Sequence, residues 1–503
     1  MPKRQAVVIM TDTQNKSMVG CYGNPDMKTP ALDRLAGQGI RFDRAYTCQP
    51  VCGPARSALF TGLFPHSNGS WANCMPLGDT VRTVGQRLRD AGIHTAYIGK
   101  WHLDGGDYFG QGRCPDGWDP AYWYDMRNYL EELSEADRLR SRQTFSPDAP
   151  PVDAGFTFGR RCADRARDFL QRHANEDFLL VLSFDEPHGP CLCPEPFASM
   201  YKDYEFPRTE AFYDDLSGKP AHQRVWAGGQ GKKSRAERSA CPTAHYIYLG
   251  CNSFVDSEIG RVMETVDRAA PGALVAYTTD HGDLLGAHGM WNKGPVTYDT
   301  VTNIPFILRW PGHAPAGTVC PHPVSHVDLT PTLLDYFGAP RPPVLEGISL
   351  LPCFENPAKR INDSVFVEFG RYETDHDGFG GFQPLRCVFD GRYKLTINLL
   401  TSDELYDVAK DPDELANLIG SPAHREIRNL LHDRLIDWMN RTRDPFRGYY
   451  WLNRPWRTDA PEPTWDFTRM TRQREEDPRY EPRQLDYMTG LEMRMGTRKK
   501  GTS

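Results

Sequence analysis

Short apolar segments alternate with helical segments through the first two thirds of this chain. Residues 5–10, 178–184 and 273–277 are continuous apolar runs, the pattern of strands that are buried on both faces. Helical patterns over residues 160–173 and 246–269 lie between such runs. This alternation predicts an α/β fold built on a doubly wound, mostly parallel sheet.

Polar side chains that can do chemistry follow these apolar runs at the point where each run ends. Six of them are Asp12, Lys100, His102, His188, Asp280 and His281. Because the carboxyl ends of parallel strands meet at one edge of a sheet, we expect these six side chains to converge on one crevice.

The pattern changes after about residue 340. Residues 365–369, 385–389 and 393–397 predict antiparallel strands, with a hairpin turn at Asp390-Gly391 and a helix over 426–441. A chain of 503 residues is also too long for a single core. We therefore expect a catalytic α/β domain over 1–345, an antiparallel sheet with one helix over 346–443, and an extended C-terminal arm over 444–503.

The predicted arm contains Trp451, Trp456 and Trp465, which need apolar cover. Two alternatives remain open. A second subunit supplies the cover, which would make the protein a homo-oligomer, or the arm wraps its own subunit.

Charge and composition exclude several classes of partner. The net charge of −7 argues against binding to nucleic acid, because nucleic-acid domains are usually basic. The chain contains no apolar run of membrane-spanning length, so we expect no membrane association. The N-terminal apolar run is too short for a signal peptide, and the 13 cysteines lack framework spacing. These features predict a cytoplasmic protein with reduced thiols.

A second constraint is the pattern Cys-x-Pro-x-Arg, which Cys52, Pro54 and Arg56 form, with Thr61-Gly62 following. Pro54 suits the first turn of a helix, and Gly62 can end it. Cys52 then lies at a helix N-terminus, where partial positive charge stabilises anions, and Arg56 lies one turn further on the same face. The simpler alternative is a buried cysteine beside a solvated arginine.

These residues resemble the signature of the type I sulfatases, within the alkaline-phosphatase-like superfamily of metal-dependent ester hydrolases. In that family a formylglycine-generating enzyme converts the cysteine into formylglycine, whose aldehyde is hydrated to a diol. The resemblance implies that Cys52 is the precursor of the nucleophile and that Arg56 anchors it. Further motifs in the family's order are Gly99-Lys100-Trp101-His102, Pro187-His188-Gly189-Pro190, and His288-Gly289 followed by Lys293-Gly294.

The resemblance also implies a divalent metal held by Asp12, Asp280, His281 and an oxygen of modified Cys52. Hard, mostly oxygen ligands favour Ca²⁺, and Mg²⁺ or Mn²⁺ are the next candidates. The simpler alternative for the aspartates is a turn after a strand.

One position departs from the commonest family pattern, because Thr13 follows Asp12 where the family usually has a second aspartate. We expect Thr13 or Gln14 to supply a neutral oxygen to the metal instead.

The family mechanism assigns roles to five further residues. Arg56, Lys100 and Lys293 neutralise the sulfate oxygens while one diol hydroxyl attacks sulfur. His188 or Lys293 protonates the leaving alcohol, and His102 then takes the proton of the second hydroxyl, which expels sulfate.

Two weaker substrate-binding candidates are Asn73, which could reach the anion, and His288, for which a structural role in its loop is an equal alternative. The aromatic side chains over residues 107–124 either line a sugar pocket or pack the loop.

The function predicted from the sequence is hydrolysis of a small sulfate ester, either a sulfated sugar or an aryl sulfate. Two alternatives remain. The first is a phosphonate monoester or phosphodiester hydrolase of the same superfamily, which the neutral Thr13 keeps open. The second is a non-catalytic protein with unmodified Cys52 that binds a metal and anions.

Overall fold

The structure is a computed structural model, and it describes residues 3–105, 108–143, 152–240, 244–374, 378, 380–460 and 490–491. Among the helices of this part of the chain, none has the length and apolar character that a bilayer crossing requires. The predicted arm is described only to residue 460 and at 490–491, so Trp465 lies outside the described residues.

Strands of the described residues form two sheets. In chain order they are β1 Gln5–Asp12, β2 Ile40–Tyr46, β3 His94–Gly99, β4 Phe178–Pro187, β5 Leu274–Thr279, β6 Asn303–Ile304, β7 Phe306–Arg309, β8 Thr318–Ser325, β9 Val365–Phe369, β10 Leu385–Phe389, β11 Tyr393–Asn398 and β12 Glu404–Asp407.

The large sheet has eight strands in the order β3-β4-β1-β5-β7-β2-β6, with β8 paired to β2. The pairs β3–β4, β4–β1, β1–β5 and β2–β8 are parallel. Antiparallel pairing is confined to β6 and β7, which pair with β2 and, for β7, also with β5. The predicted mostly parallel α/β sheet is therefore confirmed.

Helices cover both faces of this sheet. In chain order the helices are α1 Pro30–Gln38, α2 Cys52–Thr61, α3 Pro65–Asn68, α4 Val84–Asp90, α5 Met126–Glu131, α6 Glu135–Ser141, α7 Phe158–Arg172, α8 Ala221–Trp226, α9 Arg235–Ser239, α10 Tyr246–Ala269, α11 Asp299–Thr302, α12 Leu329–Phe337, α13 Pro352–Glu355, α14 Arg425–Arg441 and α15 Tyr449–Leu452.

Strand β1 shows why the sheet is covered on both sides. Val7 and Ile9 pack in a core with α1, α7 and α10. Ala6, Val8 and Met10 point to the other face and pack in a core with α2, α4 and α12. Since successive side chains of a strand point to opposite faces, an unbroken apolar run such as β1 requires two apolar cores.

The second sheet is smaller, and its four strands are antiparallel in the order β12-β11-β10-β9. Helix α14 covers one face, where Leu431 and Leu435 pack against Val388 of β10 and Leu395 of β11. The turn between β10 and β11 is the predicted one, with Gly391 at a φ of 100° that favours glycine.

The two sheets are joined by a shared core, because Ala58 of α2 packs in the same cluster as α14. The helix that begins at Cys52 therefore lies between the two sheets. The boundaries at residues 345 and 443 stay predictions, since the packing is continuous across them.

The first residues of the predicted arm are covered by their own chain. Trp451 is 1% exposed and packs in the core under α14, and Trp456 packs against the same cluster. The indole nitrogen of Trp456 donates to Asp403 Oδ2 over 2.8 Å. For these two tryptophans, the alternative in which the arm covers its own subunit is found. Homo-oligomer formation through the rest of the arm stays a prediction.

Candidate active site

Helix α2 holds Cys52 between the two sheets. Val51 before it is extended, Cys52 is the first helical residue, and Gly62 ends the helix with a φ of 69°. All 10 residues of α2 are buried, with Ala58 in the C-terminal core and Leu59 in the core of the large sheet. Cys52 is therefore fixed at a helix N-terminus, where backbone N–H groups favour negative charge.

The four residues predicted to hold a metal lie together. Ligand atoms of Asp12, Cys52, Asp280 and His281 are all within 4.8 Å of one another, and all four residues are buried. Cys52 Sγ lies 3.2 Å from His281 Nε2 and 3.7 Å from Asp12 Oδ1. Asp12 ends β1 and Asp280 follows β5, its parallel neighbour, so the strand register brings the two carboxylates to the same edge.

The far side of His281 sets which nitrogen faces the cluster. His281 Nδ1 lies 2.8 Å from the carbonyl oxygen of Gly282, so Nδ1 carries the hydrogen and donates. The lone pair of Nε2 is then directed at Cys52, as in metal-binding histidines whose other nitrogen is held by a hydrogen bond. Two carboxylates and this imidazole, with the side chain of Cys52 beside them, form a donor set that fits a divalent cation.

Thr13, not Gln14, lies beside these ligands. Thr13 has a φ of 57°, and its hydroxyl donates to Asp12 Oδ1 over 2.7 Å. Gln14 is directed elsewhere, because its Nε2 donates to Asn252 Oδ1 over 2.6 Å and its Oε1 accepts from the hydroxyl of Tyr277. Of the two neutral oxygens considered from the sequence, that of Thr13 is therefore the one within reach.

Arg56 is fully buried, which excludes the alternative of a solvated arginine. Its Nε donates to Asp280 Oδ2 over 3.1 Å and its Nη2 to Asp12 Oδ2 over 3.0 Å. Its Nη1 donates to the carbonyl of Lys100 and to Ser183 Oγ, over 2.7 and 2.8 Å. Arg56 thus orients both carboxylates, and its contact with substrate oxygens stays a prediction.

Two buried lysines make the surroundings of Cys52 positive. Lys293 Nζ donates to Cys52 Sγ over 2.9 Å. Lys100 Nζ lies 2.8 Å from Asp12 Oδ2 and 3.0 Å from Asp185 Oδ1. Burial and the Asp12 carboxylate raise the pKa of the Cys52 thiol, but nearby cations, Lys293 first, lower that pKa further, to about 5. The site is therefore built to hold negative charge at residue 52.

His102 and His188 both lie in the wall of the cavity above Cys52. Burial, together with nearby Lys100, lowers the pKa of His102 to about 3 and that of His188 to about 4. Both imidazoles are therefore neutral at pH 7. His102 has a φ of 59°, and its buried Nδ1 has no hydrogen-bond partner among the described residues, so it can accept a proton.

Tyr108 connects His188 to the charged cluster. Its hydroxyl donates to Asp185 Oδ1 over 2.5 Å and lies 2.9 Å from His188 Nδ1. Lys100 Nζ sits 4.0 Å from the centre of the same tyrosine ring. Asp185 was not among the residues predicted from the sequence, although it directly follows the apolar run of β4 and the rule for strand ends applies to it equally.

The two weaker candidates are placed differently. Asn73 lies in the cavity wall, and its Oδ1 accepts from the backbone N–H of Gly53 over 2.8 Å, so it orients the residue next to Cys52. His288 is not among the described residues that line the cavity. Its Nδ1 lies 2.7 Å from Asp214 Oδ2, and its ring stacks on Tyr298 at 3.7 Å, which is the structural alternative.

The cavity above Cys52 has a volume of about 420 Å³. Its lining also contains Tyr248, Trp291, Tyr372 and Glu373, none of which was predicted from the sequence. No sequence motif marks them, because helix α10 and two loops that are distant in the chain bring them together.

The aromatic segment over 107–124 divides between the two alternatives. Tyr108 lines the cavity. Trp118 and Tyr124 are buried in the two cores of the large sheet, and Trp123 packs against one of them. A pocket role is therefore wrong for these three residues, because their rings fill apolar space around β3 instead.

Comparison with family models matches this chain twice. Residues 4–339 match a model described as sulfatase. Residues 286–441 match a model described as N-sulphoglucosamine sulphohydrolase, C-terminal. The two matches together cover the large sheet and the small one.

Individual relatives cover nearly the whole chain. The uncharacterized sulfatase YidJ of Escherichia coli K12 is 44% identical over 500 residues, with 98% of this chain and 97% of the relative covered. An N-acetylglucosamine-6-O-sulfatase of Bacteroides thetaiotaomicron is 26% identical, with 85% of each chain covered.

Solved structures support the fold. The protein BT4656 in complex with its substrate D-glucosamine-2-N,6-O-disulfate has a TM-score of 0.73 at 23% identity, with 88% of this chain and 99% of that chain covered. A phosphonate monoester hydrolase of Agrobacterium radiobacter has a TM-score of 0.71 at 22% identity, with 88% and 96% covered. The fold is thus that of the alkaline-phosphatase-like superfamily, and with the family matches it follows that the chain belongs to the sulfatase family of sulfuric ester hydrolases.

Proposed function

We propose that this protein hydrolyses a sulfate ester of a small sulfated sugar or aryl alcohol, with a formylglycine derived from Cys52 as its nucleophile. The observation that carries the proposal is the position of Cys52 Sγ, which touches Lys293 and the cluster of Asp12, Asp280 and His281. A nucleophile at residue 52 would therefore lie between the metal ion that the cluster holds, which activates it, and the sulfate ester that binds in the cavity.

Asp12, Asp280 and His281 would hold the metal, and Thr13 has a neutral oxygen beside them. We propose Ca²⁺, since oxygen ligands dominate the set. The ion would lower the pKa of the nucleophilic hydroxyl and offset charge on a sulfate oxygen. Arg56 orients Asp12 and Asp280 through its hydrogen bonds to one oxygen of each.

The proposed modification requires a formylglycine-generating enzyme as a partner. Formylglycine supplies a hydrated aldehyde with two hydroxyl groups, one to attack sulfur and one whose deprotonation expels sulfate. The positive surroundings of residue 52 suit an oxyanion there as they suit a thiolate.

Lys293 lines the cavity, and Lys100 adds a second positive charge beside it, against Asp12 and Asp185. Burial lowers the pKa of Lys293, but the sulfur of Cys52 and Asp12 raise it more, so the ammonium group stays charged. We propose that Lys293 binds a sulfate oxygen and stabilises the charge that develops in the transition state.

His102 and His188 move the protons. His102 is neutral because its pKa is lowered, so its ring nitrogen Nδ1, unpaired among the described residues, has a lone pair to accept the proton of the second hydroxyl. His188 is neutral in the free protein, and the negative charge of a bound sulfate ester favours its protonated form. We propose that His188, or Lys293 beside it, then donates that proton to the leaving alcohol.

The size and lining of the cavity support a small substrate. About 420 Å³ suits a sulfated mono- or disaccharide, and the faces of Trp291 and Tyr248 offer apolar surface to a sugar ring. The likeness to an N-acetylglucosamine-6-O-sulfatase supports the same class. We propose a cytoplasmic location, which the 12 free cysteines among the described residues support.

The test combines mass spectrometry with turnover. The peptide that contains residue 52 should be lighter than the cysteine form by about 18 Da. Protein with this modification should release sulfate from 4-nitrophenyl sulfate or from a panel of sulfated sugars. Cys52→Ala should abolish turnover, whereas the control Cys114→Ala should retain it. Unmodified Cys52 in active protein would contradict the formylglycine mechanism, and modified but inactive protein would contradict the substrate class.

A phosphonate monoester hydrolase is the second candidate. The neutral Thr13 beside Asp12 favours it, because related hydrolases of the superfamily carry a neutral side chain where sulfatases carry the second aspartate. Turnover of 4-nitrophenyl sulfate against phenyl phosphonate monoester separates the two. We expect the sulfate to have the higher kcat/KM.

A further inference from the structure

Two histidines and a glutamate converge at the edge of the large sheet that lies opposite Cys52. His94 begins β3, His173 directly follows α7, and Glu176 lies in the connection from α7 to β4. Strand β3 runs six residues to Gly99, a length of about 17 Å at roughly 3.3 Å per residue. The cluster is thus separated from the catalytic edge by the length of the sheet.

Both imidazoles present the same nitrogen to one carboxylate. His94 Nδ1 lies 3.0 Å from Glu176 Oε2, and His173 Nδ1 lies 2.9 Å from Glu176 Oε1. The ring centres are 4.6 Å apart with planes at 84°, so the two rings approach Glu176 from different directions. The three candidate ligand atoms all lie within 4.8 Å of one another.

The far nitrogens of both rings are also held. His94 Nε2 lies 2.7 Å from Asp119 Oδ2, and His173 Nε2 lies 2.7 Å from the hydroxyl of Tyr122. In metal-bound histidines the nitrogen that does not bind the metal carries a hydrogen and donates it to a carboxylate or another oxygen. Asp119 and Tyr122 can therefore stabilise the tautomers in which both Nδ1 lone pairs are free for a metal.

We propose that His94, His173 and Glu176 bind a zinc ion, separate from the catalytic metal. Two imidazole nitrogens and one carboxylate, with water in the fourth position, are a common zinc set. Imidazole favours zinc over the oxygen-seeking Ca²⁺, so the two sites select different ions.

Binding forms two Zn–N bonds and one Zn–O bond. A doubly protonated imidazole releases its Nδ1 proton to solvent, and a neutral imidazole that carries its hydrogen on Nδ1 changes to the Nε2–H tautomer. The ion would connect the start of β3 to the segment between α7 and β4, and would stabilise the fold by mass action.

Zinc titration by calorimetry, with the protein saturated with CaCl₂, tests the proposal. The wild type should bind one more equivalent of zinc than His94→Gln or His173→Gln. Asp119→Asn should bind that equivalent roughly 10- to 100-fold more weakly. His313→Gln removes an exposed histidine outside the cluster and should bind zinc like the wild type.

Asp280→Asn, a change in the catalytic cluster, should keep the additional equivalent. A matching result is a zinc-dependent rise in Tm that the wild type shows and that both histidine variants lack. Equal zinc stoichiometry and affinity in the wild type and in the folded variants, verified by circular dichroism, would overturn the proposal. If one histidine variant does not fold, the other and Asp119→Asn decide.

Discussion

Lys293 donates a hydrogen bond of 2.9 Å to the sulfur of Cys52, although the two residues are 241 positions apart in the chain. Cys52 begins a helix between the sheets, and Lys293 lies in the segment that follows β5 and the pair Asp280-His281. The contact places a permanent positive charge against the proposed nucleophile.

Lys293→Met tests this charge. The variant retains the apolar stem but cannot neutralise a sulfate oxygen, so we expect kcat to fall by roughly 10²- to 10³-fold. The measurement is steady-state kinetics with 4-nitrophenyl sulfate, with the formylglycine content of each preparation determined by mass spectrometry. The exposed Lys233→Met is the matched control and should behave like the wild type. Unchanged kcat in fully modified Lys293→Met would remove this residue from the mechanism.

Removal of the divalent cation should lower both activity and stability. Chelation leaves Asp12 and Asp280 facing each other in a fully buried site, with Arg56 as their shared partner. We expect added Ca²⁺ to restore turnover and to raise Tm, because an ion at 100 times its Kd stabilises the folded state by about 2.7 kcal/mol.

The response to Ca²⁺ should depend on the buried ligands only. Asp280→Asn should lose most of the rise in Tm, whereas Asp363→Asn, which changes a carboxylate that is 93% exposed, should keep it. Differential scanning fluorimetry with and without CaCl₂ gives both values. An equal rise in the two variants would place the calcium site elsewhere.

His432 should make stability depend on pH. Burial, with Arg457 nearby, lowers the pKa of His432 to about 4, and its Nε2 lies 2.7 Å from the carbonyl oxygen of Trp451. The pKa of His432 in the folded protein lies below its unfolded value of about 6.5. The contribution of His432 to the free energy of unfolding is therefore highest above pH 6.5 and decreases as pH falls toward 4, because the unfolded chain binds the proton more readily. The loss is at most about 3 kcal/mol.

Urea unfolding of the wild type and of His432→Gln between pH 4 and pH 8 measures this effect. The glutamine removes the titration, so the difference in free energy of unfolding between the two proteins should shrink as pH falls over that window. A difference that is constant across the window would show that His432 does not titrate on unfolding.

The pair of Arg386 and Asp444 should contribute strongly to stability. Arg386 Nε and Nη2 donate to the two oxygens of Asp444 over 2.6 and 3.0 Å, and both side chains are at most 2% exposed. Asp444→Ala leaves a buried guanidinium without its main partner, so we expect a loss of roughly 3–5 kcal/mol in urea unfolding.

Two comparisons sharpen this prediction. Asp433→Asn changes a carboxylate that is 59% exposed and pairs with Arg457 at the surface, so its effect should be much smaller. The double variant Arg386→Met, Asp444→Leu removes both charges and should be more stable than Asp444→Ala alone. A double variant as unstable as the single one would point to lost packing instead of an uncompensated charge.

Although the residues of this site are far apart in the chain, local sequence patterns predicted many of them. Strands that are buried on both faces require apolar runs, and the polar residues that follow each run lie near the edge of the sheet. That rule alone placed Asp12, Lys100, His188, Asp280 and His281 at one crevice. The motif at Cys52 added a helix start and its anion-favouring N-terminus, because Pro54 and Gly62 act through the backbone.

What the sequence could not determine depends on contacts between distant segments. Aromatic residues such as Trp118 and Trp123 are typical of sugar-binding pockets. Only the packing around β3 shows that Trp118 lies in an apolar core and that Trp123 packs against it. Tyr372 and Glu373 reach the cavity from the second sheet, where no local signal marks them. Periodicity reports which side of an element is buried, but the partner that buries it is chosen by the tertiary fold, since apolar contact is not directional.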